Sequence, residues 1–210
     1  MSLRADGYED LRKAIVSGEL LPGERLVEED LSARLGFGRA AVRMALARLE
    51  HDGLVQREPH RGARVRRVSK TEAVEILEAR AALEGLAARH AAINADEAAI
   101  ERLRAVVAEM RELRERGDLL GVSNANARLH GLILDISGHR TARRLSQTLS
   151  SQLVRFQYRT VLLPGRPEHS FAEHTEIVEA IAAHDPQAAE RAMRRHLSLV
   201  AEALRGHDGS

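Results

Sequence analysis

Hydrophobic positions recur at helical spacing along most of the chain, beginning with Leu11, Ala14 and Ile15 in a segment from Tyr8 to Ser17 that Gly18 stops. Leu20-Leu21-Pro22-Gly23 then reads as a turn. A second helix is predicted from about Glu28 to Leu35, ended by Gly36, and a third from Arg39 to His51, ended by Gly53. Beyond it, Leu54-Val55 and Val65-Arg66-Arg67-Val68 flank the turn-rich Pro59-His60-Arg61-Gly62, the pattern of a β-hairpin of about ten residues. Such a hairpin forms a wing beside a three-helix cluster.

Ser69-Lys70-Thr71-Glu72 has the capping-box form that starts a new helix, which puts a domain boundary near Val68-Ser69 and gives domains 1–69 and 70–210. Everything afterwards reads as helix, in six pieces at about 70–92, 95–116, 119–137, 140–162, 168–184 and 186–206. They are separated by Asn94, Gly117, Gly138, the Pro164-Gly165-Arg166-Pro167 loop and Asp185-Pro186. Asn94 and Asp185 suit helix N-caps, and Pro167 and Pro186 suit first-turn positions. The fold expected is mainly α: a winged helix-turn-helix followed by an all-helical six-helix bundle. No internal repeat or low-complexity tract interrupts this pattern.

Composition narrows the reading. Hydrophobic residues make up 44% and charged residues 30% of 210, the balance of a globular protein with a real core. Phe37, Phe156, Phe171, Tyr8 and Tyr158 are the only aromatics beside the histidines, which suits helix-on-helix packing and speaks against large β-sandwiches and stacking-based RNA binders. The absence of cysteine excludes disulfides, thiolate metal sites and cysteine nucleophiles, and fits a reducing cytoplasm. No apolar run approaches the roughly 18 residues of a membrane span, so a cytoplasmic protein without a membrane partner is expected.

The net charge of +1 conceals an asymmetry. Residues 1–30 carry four Arg/Lys against eight Asp/Glu, whereas residues 31–69 carry nine Arg against Glu50, Asp52 and Glu58. A local excess of basic charge is the footprint of a polyanion-binding surface. A DNA-reading helix needs short side chains near the duplex, basic residues aimed outward and an apolar docking face. Residues 38–51 supply all three: Gly38 and Ala40 are small, Val42, Ala45, Leu46 and Leu49 form an inward stripe, and Arg39 and Arg43 share an outward face. Arg61 and Arg64, on either side of Gly62 and Ala63, bring charge to a wing tip that can enter an adjacent groove. The plain alternative is a solvated, Arg-rich helix in an ordinary bundle.

Ten histidines are scattered along the chain, and three fall on inward stripes of three separate predicted helices. His130 lies with Val122, Asn126, Leu129 and Ile133, His174 between Phe171 and Val178, and His196 between Met193 and Val200. Asn126 and His130, four apart, project from one helical face and can touch one ion. Imidazoles and amide oxygens suit Zn²⁺, Ni²⁺ or Mn²⁺; hydrogen-bonded core histidines are the alternative. His139, His169 and His184 stand near helix ends, where solvation is expected. Arg80 shares a stripe with Ile76, Leu83 and Ala87 and needs an anionic partner, either Glu84 one turn along or the carboxylate of an effector. Arg155 and Arg159 are further candidates for lining the same cavity.

The stretch EDLSARLGFGRAAVRMALARLEHDGLVQREPHRGARV, with LLPGERLVE before it, resembles the winged-helix domain of GntR-type bacterial regulators from Leu11 through Val65. The resemblance implies that Arg39 and Arg43 read or clamp operator DNA and that Gly62 is the wing-tip glycine. Two positions depart from the family pattern, which has Ser or Thr at Gly38 and Pro at Ala41. Residues 71–206 are similar to the FCD ligand-binding domain of the FadR subfamily, in its VanR-like six-helix branch, through RAALEGLAARHA, NARLHGLILDISGH, EHTEIVEAIAAHD and AMRRHL. That likeness implies a homodimeric repressor of operator DNA whose affinity responds to a small organic acid. It also implies a divalent metal held at Asn126, His130, His174 and His196, with Asn126 where the family has Asp. Two other classes remain open from the residues alone: a metal-dependent enzyme on the three histidines, which has no accompanying general base, and an effector-independent DNA binder.

Overall fold

The computed structural model describes residues 7–58, 62–153 and 165–206, which divide into two compact units, 1–68 and 69–210. In the first unit α1 (Tyr8–Val16), α2 (Glu28–Leu35) and α3 (Arg39–His51) precede a hairpin of β2 (Val55–Glu58) and β3 (Gly62–Val65). Predicted and observed bounds of α2 and α3 coincide because each is fixed by chemistry in the sequence. Gly36 ends α2 with φ 70°, where a side chain would be strained, and acidic residues fill the α2 first turn next to the helix dipole.

The sheet carries one strand that the hydrophobic pattern did not reveal. Arg25–Leu26 forms β1, and the order is β1-β3-β2 with both pairs antiparallel. The hairpin pairs Val55 with Val65 and Glu58 with Gly62, while Arg25 and Leu26 pair with Arg64 and Ala63. Two residues cannot show an alternation, so β1 exists only through its partner. Gly62 enters β3 at φ 85°, a backbone conformation that favours glycine.

The predicted inward stripe of α3 is fully buried, since Val42, Ala45, Leu46 and Leu49 lie in one cluster with Leu11, Leu26, Leu31 and Val65. Tyr8 ties α1 to the end of α3, its hydroxyl donating to the Asp52 carboxylate and its ring lying 4.0 Å beneath the Arg48 guanidinium. Burial and then the Asp52 bond push the Tyr8 hydroxyl up to about 12.

The second unit holds α4 (Lys70–Asn94), α5 (Glu97–Glu115), α6 (Leu119–Ile136), α7 (Arg140–Gln152), α8 (Arg166–Ala182) and α9 (Pro186–Gly206). Buried residues cover about half of the α4 circumference, with Glu75, Glu78, Ala79, Ala82 and Arg89 exposed on the opposite face, and the buried face packs on α6, α7, α8 and α9. Ser69 caps α4 as its sequence predicts, accepting the Glu72 N–H at 3.1 Å, and Asp185 accepts that of Ala188 at 2.9 Å before α9. Asn94 is not a cap. Asp96 caps α5 through Ala99 N–H at 2.7 Å, while the Asn94 amide donates to the Ser137 carbonyl at 2.9 Å. The carboxylate two residues later is the stronger acceptor for helix N–H groups, and Asn94 remains in α4.

Arg166, placed in a loop by its flanking Gly and Pro, is instead the first residue of α8. Gly165 at φ 74° turns the chain, and Pro167 follows in the first turn. His139 is half-buried rather than solvated, because its Nδ1 accepts the Ala142 N–H at 3.1 Å and caps α7, and its ring meets His90 edge-on at 5.4 Å. His184 is exposed but bonds through Nδ1 to the Ala92 carbonyl at 2.9 Å, and His169 is exposed. No helix among the described residues is long and apolar enough to cross a membrane.

Candidate functional site

Two places in the molecule carry side chains that folding alone leaves unexplained. On α3 the Arg39 and Arg43 guanidiniums point away from the buried stripe and remain 65% and 63% exposed. Each is held by an acid from the start of α2, Arg39 by Glu29 and Arg43 by Glu28 at 3.1 Å. Gly38 stands before the helix in extended conformation with no cap from a side chain, and nothing lies within 4 Å of where its Cβ would be. The first-turn amides of α3 are therefore open to an anion. Ala40 is exposed beside them. Met44, 67% exposed on the same helix, was not singled out by charge or periodicity, and neither was Arg57, whose Nη2 donates to the Arg43 carbonyl at 2.9 Å. Gly62 is described, whereas Arg61 lies outside the described residues. Arg64 points back to its own unit, donating to the Gly23 carbonyl at 3.2 Å, and is not a wing-tip charge. Strand alternation turns it toward the α1–β1 connection.

In the second unit α6, α8 and α9 bring His130, His174 and His196 together, as their separate stripes suggested but could not establish. Their ligand nitrogens lie within 4.8 Å of one another, and all three rings are buried. Ring centroids are 4.4 Å apart for His174 and His196, 5.3 Å for His130 and His196, and 5.6 Å for His130 and His174. Asn126 is half-buried one turn before His130.

Two buried carboxylates complete the arrangement. Glu84 accepts from Arg80 Nε at 2.7 Å and contacts His130 Nδ1 at 2.6 Å. Burial opposes its ionisation, but Arg80 and then His130 outweigh that cost and hold the carboxyl down at about 2. Arg80 has thus found the nearer of its two expected partners. Glu173 accepts from both Arg166 terminal nitrogens, at 2.7 and 2.8 Å, and contacts His196 Nδ1 at 2.7 Å. Neither Arg166 nor Glu173 was a sequence candidate, although a spacing of seven puts them on one helix face two turns apart.

His174 differs from its neighbours. Both of its ring nitrogens are buried without any partner, which is costly for a polar group in a packed interior. Burial, followed by the two neighbouring histidines, pushes it well below the ordinary 6.5; burial, His130 and Arg166 do the same for His196. Rings kept neutral can donate lone pairs to a cation, and three converging imidazoles with one orphaned fit a divalent metal of the Zn²⁺, Ni²⁺ or Mn²⁺ type. Arg155 and Arg159 lie outside the described residues.

Comparisons with known proteins agree across both units. A family model described as "Bacterial regulatory proteins, gntR family" matches residues 4–65, and one described as "FCD domain" matches residues 75–199. The chain is 30% identical to the "HTH-type transcriptional repressor RspR" of Escherichia coli (strain K12), over 94% of this chain and 87% of that protein. It is 31% identical to the "Probable D-xylose utilization operon transcriptional repressor" of Paenarthrobacter nicotinovorans, over 93% and 85%. The solved structure of E. coli McbR/YncC superposes with a TM-score of 0.81 over 98% of each chain at 22% identity, a likeness of fold.

Proposed function

We propose, on the premise that this chain belongs to the gntR family of bacterial regulatory proteins and carries an FCD domain, that it represses transcription under the control of what binds beside His174. It is a DNA-binding transcription regulator and not an enzyme. In the proposal Arg39 and Arg43 exchange Glu29 and Glu28 for operator DNA, Gly38 and Ala40 let the helix backbone approach phosphate, and Arg61 and Gly62 form the wing tip. Exposed ion pairs are weak, about 0–1 kcal/mol, so duplex phosphates and base edges can displace them. Two copies working as a cytoplasmic homodimer match the two-fold symmetry of an inverted-repeat operator.

His130, His174 and His196, with Asn126 beside them, would hold a divalent metal, which would supply a fixed positive charge among the three rings. The surrounding charges already cancel in pairs, Arg80 with Glu84 and Arg166 with Glu173, so a metal on neutral donors calls for an anionic companion. A small organic acid meets that need, and Arg155 and Arg159 are candidates to receive it. The observation that carries this reading is His174, whose two buried nitrogens have no protein partner.

The test is operator affinity measured by fluorescence anisotropy, using a duplex selected in vitro from a random library. Chelator-treated protein is compared with protein given Zn²⁺, Ni²⁺ or Mn²⁺ and then a panel of organic acids. A reversible change of about fivefold or more is expected, the range of ordinary allosteric coupling. An affinity indifferent to every ion and acid would leave a DNA binder without a sensor.

A further inference from the structure

We infer that Glu84 and Glu173 are positioning residues that preset His130 and His196 as Nε2 donors, leaving His174 as the one histidine of the three that the bound ion must itself orient. The inference rests on the metal reading above and specifies how the protein prepares for it.

Both carboxylates contact Nδ1 of their histidine, at 2.6 Å for His130 and 2.7 Å for His196. A carboxylate clamped by an arginine accepts, so each Nδ1 carries a proton, and in the neutral ring that leaves the lone pair on Nε2. The two contacts arise independently. Glu84 reaches from α4 to α6 across 46 residues of sequence, and Glu173 from α8 to α9 across 23. Core histidines satisfied merely for stability have no reason to present the same nitrogen twice.

Each carboxylate is also pinned from behind. Arg80 holds Glu84 through one oxygen, and Arg166 holds Glu173 through both. Neither glutamate belongs to the set of atoms that can converge on one ion among the described residues, so they act through the histidines. A carboxylate on the far nitrogen of a ligand imidazole fixes its tautomer and raises its basicity. His174 has no such anchor on either nitrogen.

The test uses the full-length protein labelled with ¹⁵N-histidine and stripped of metal. Long-range ¹H–¹⁵N spectra should show His130 and His196 in the Nδ1–H tautomer. In Glu84→Gln, Arg80 still demands an oxygen, so the new amide NH₂ faces His130 and turns it to the Nε2–H form. Zn²⁺ affinity, read by competition with a chelator, should then fall on the order of 10- to 100-fold. Wild-type protein that binds Zn²⁺ while both histidines are Nε2–H would overturn the inference and leave the metal reading standing, and so would undiminished Zn²⁺ affinity in Glu84→Gln. Should that variant not fold, the wild-type tautomers decide alone. A wild-type protein that binds none of Zn²⁺, Ni²⁺ and Mn²⁺ removes the metal reading, and with it the purpose assigned to the two glutamates.

Discussion

The two units use the same ion pair, Arg with Glu, for opposite ends. On α3 the pairs of Arg39 with Glu29 and Arg43 with Glu28 lie in solvent, where water and salt screen them and a released partner is rehydrated. In the helical unit the pairs of Arg80 with Glu84 and Arg166 with Glu173 are nearly sealed, with side-chain exposures of 6% and 1%, and 9% and 9%. There an abandoned partner has no water to turn to. Burial therefore separates one chemistry into two kinds of contact: a solvent-screened pair that, in the function proposed, duplex DNA displaces, and a sealed pair that, in the inference drawn, aims a neighbouring imidazole.

The largest effect should come from cutting a clamp. Glu173→Ala strands the buried Arg166 guanidinium and should lose about 3–5 kcal/mol in denaturant unfolding, whereas Glu29→Ala should lose less than about 1. Equal losses would erase the distinction between the two units. Next comes acid. Because His174 and His196 are pushed well below 6.5 in the folded protein, their unfolded forms take up protons first. Their contribution is complete above about pH 6.5 and is lost as pH falls toward the folded values, so the unfolding free energy slopes downward with acid below that point. Chelator-treated protein followed by urea titration between pH 7 and pH 5 should show that slope, and a flat profile would contradict it.

On the DNA side, Arg43→Ala should weaken binding to the selected duplex by about 1–3 kcal/mol while leaving the unfolding midpoint in place. A shifted midpoint with unchanged binding would mean that the guanidinium serves the fold. The smallest effect is expected from Gly38→Ser. The site has room for the side chain and an extended backbone, so the hydroxyl can cap α3 and add a few tenths of a kcal/mol to stability. Thermal unfolding beside wild type is sensitive enough to register its sign.

Local rules made much of the molecule legible in advance. Glycine stops fixed the ends of α2 and α3, an acidic first turn marked the start of α2, the i, i+3, i+4 spacing of Val42, Ala45, Leu46 and Leu49 identified the buried face, and Ser69 marked the start of α4. These rules act within one or two helical turns, so the order of residues contains all that they need. The outward direction of Arg39 and Arg43 follows from the same periodicity.

What lay beyond such rules needed partners distant in sequence. Strand β1 is two residues long and exists by pairing with β3 some forty positions later. Periodicity could turn each of His130, His174 and His196 inward, but a stripe on one helix says nothing about which point on another helix it faces. Their meeting, and the contact of Glu84 and Glu173 with Nδ1 of His130 and His196, came from the packing of α4, α6, α8 and α9. Sequence thus determined the elements and the side each presents, because hydrogen bonding and burial within a helix are local. Only tertiary structure decided the histidine cluster and its carboxylate partners, because the cost of burying charge is met by whichever groups the fold brings within about 3 Å.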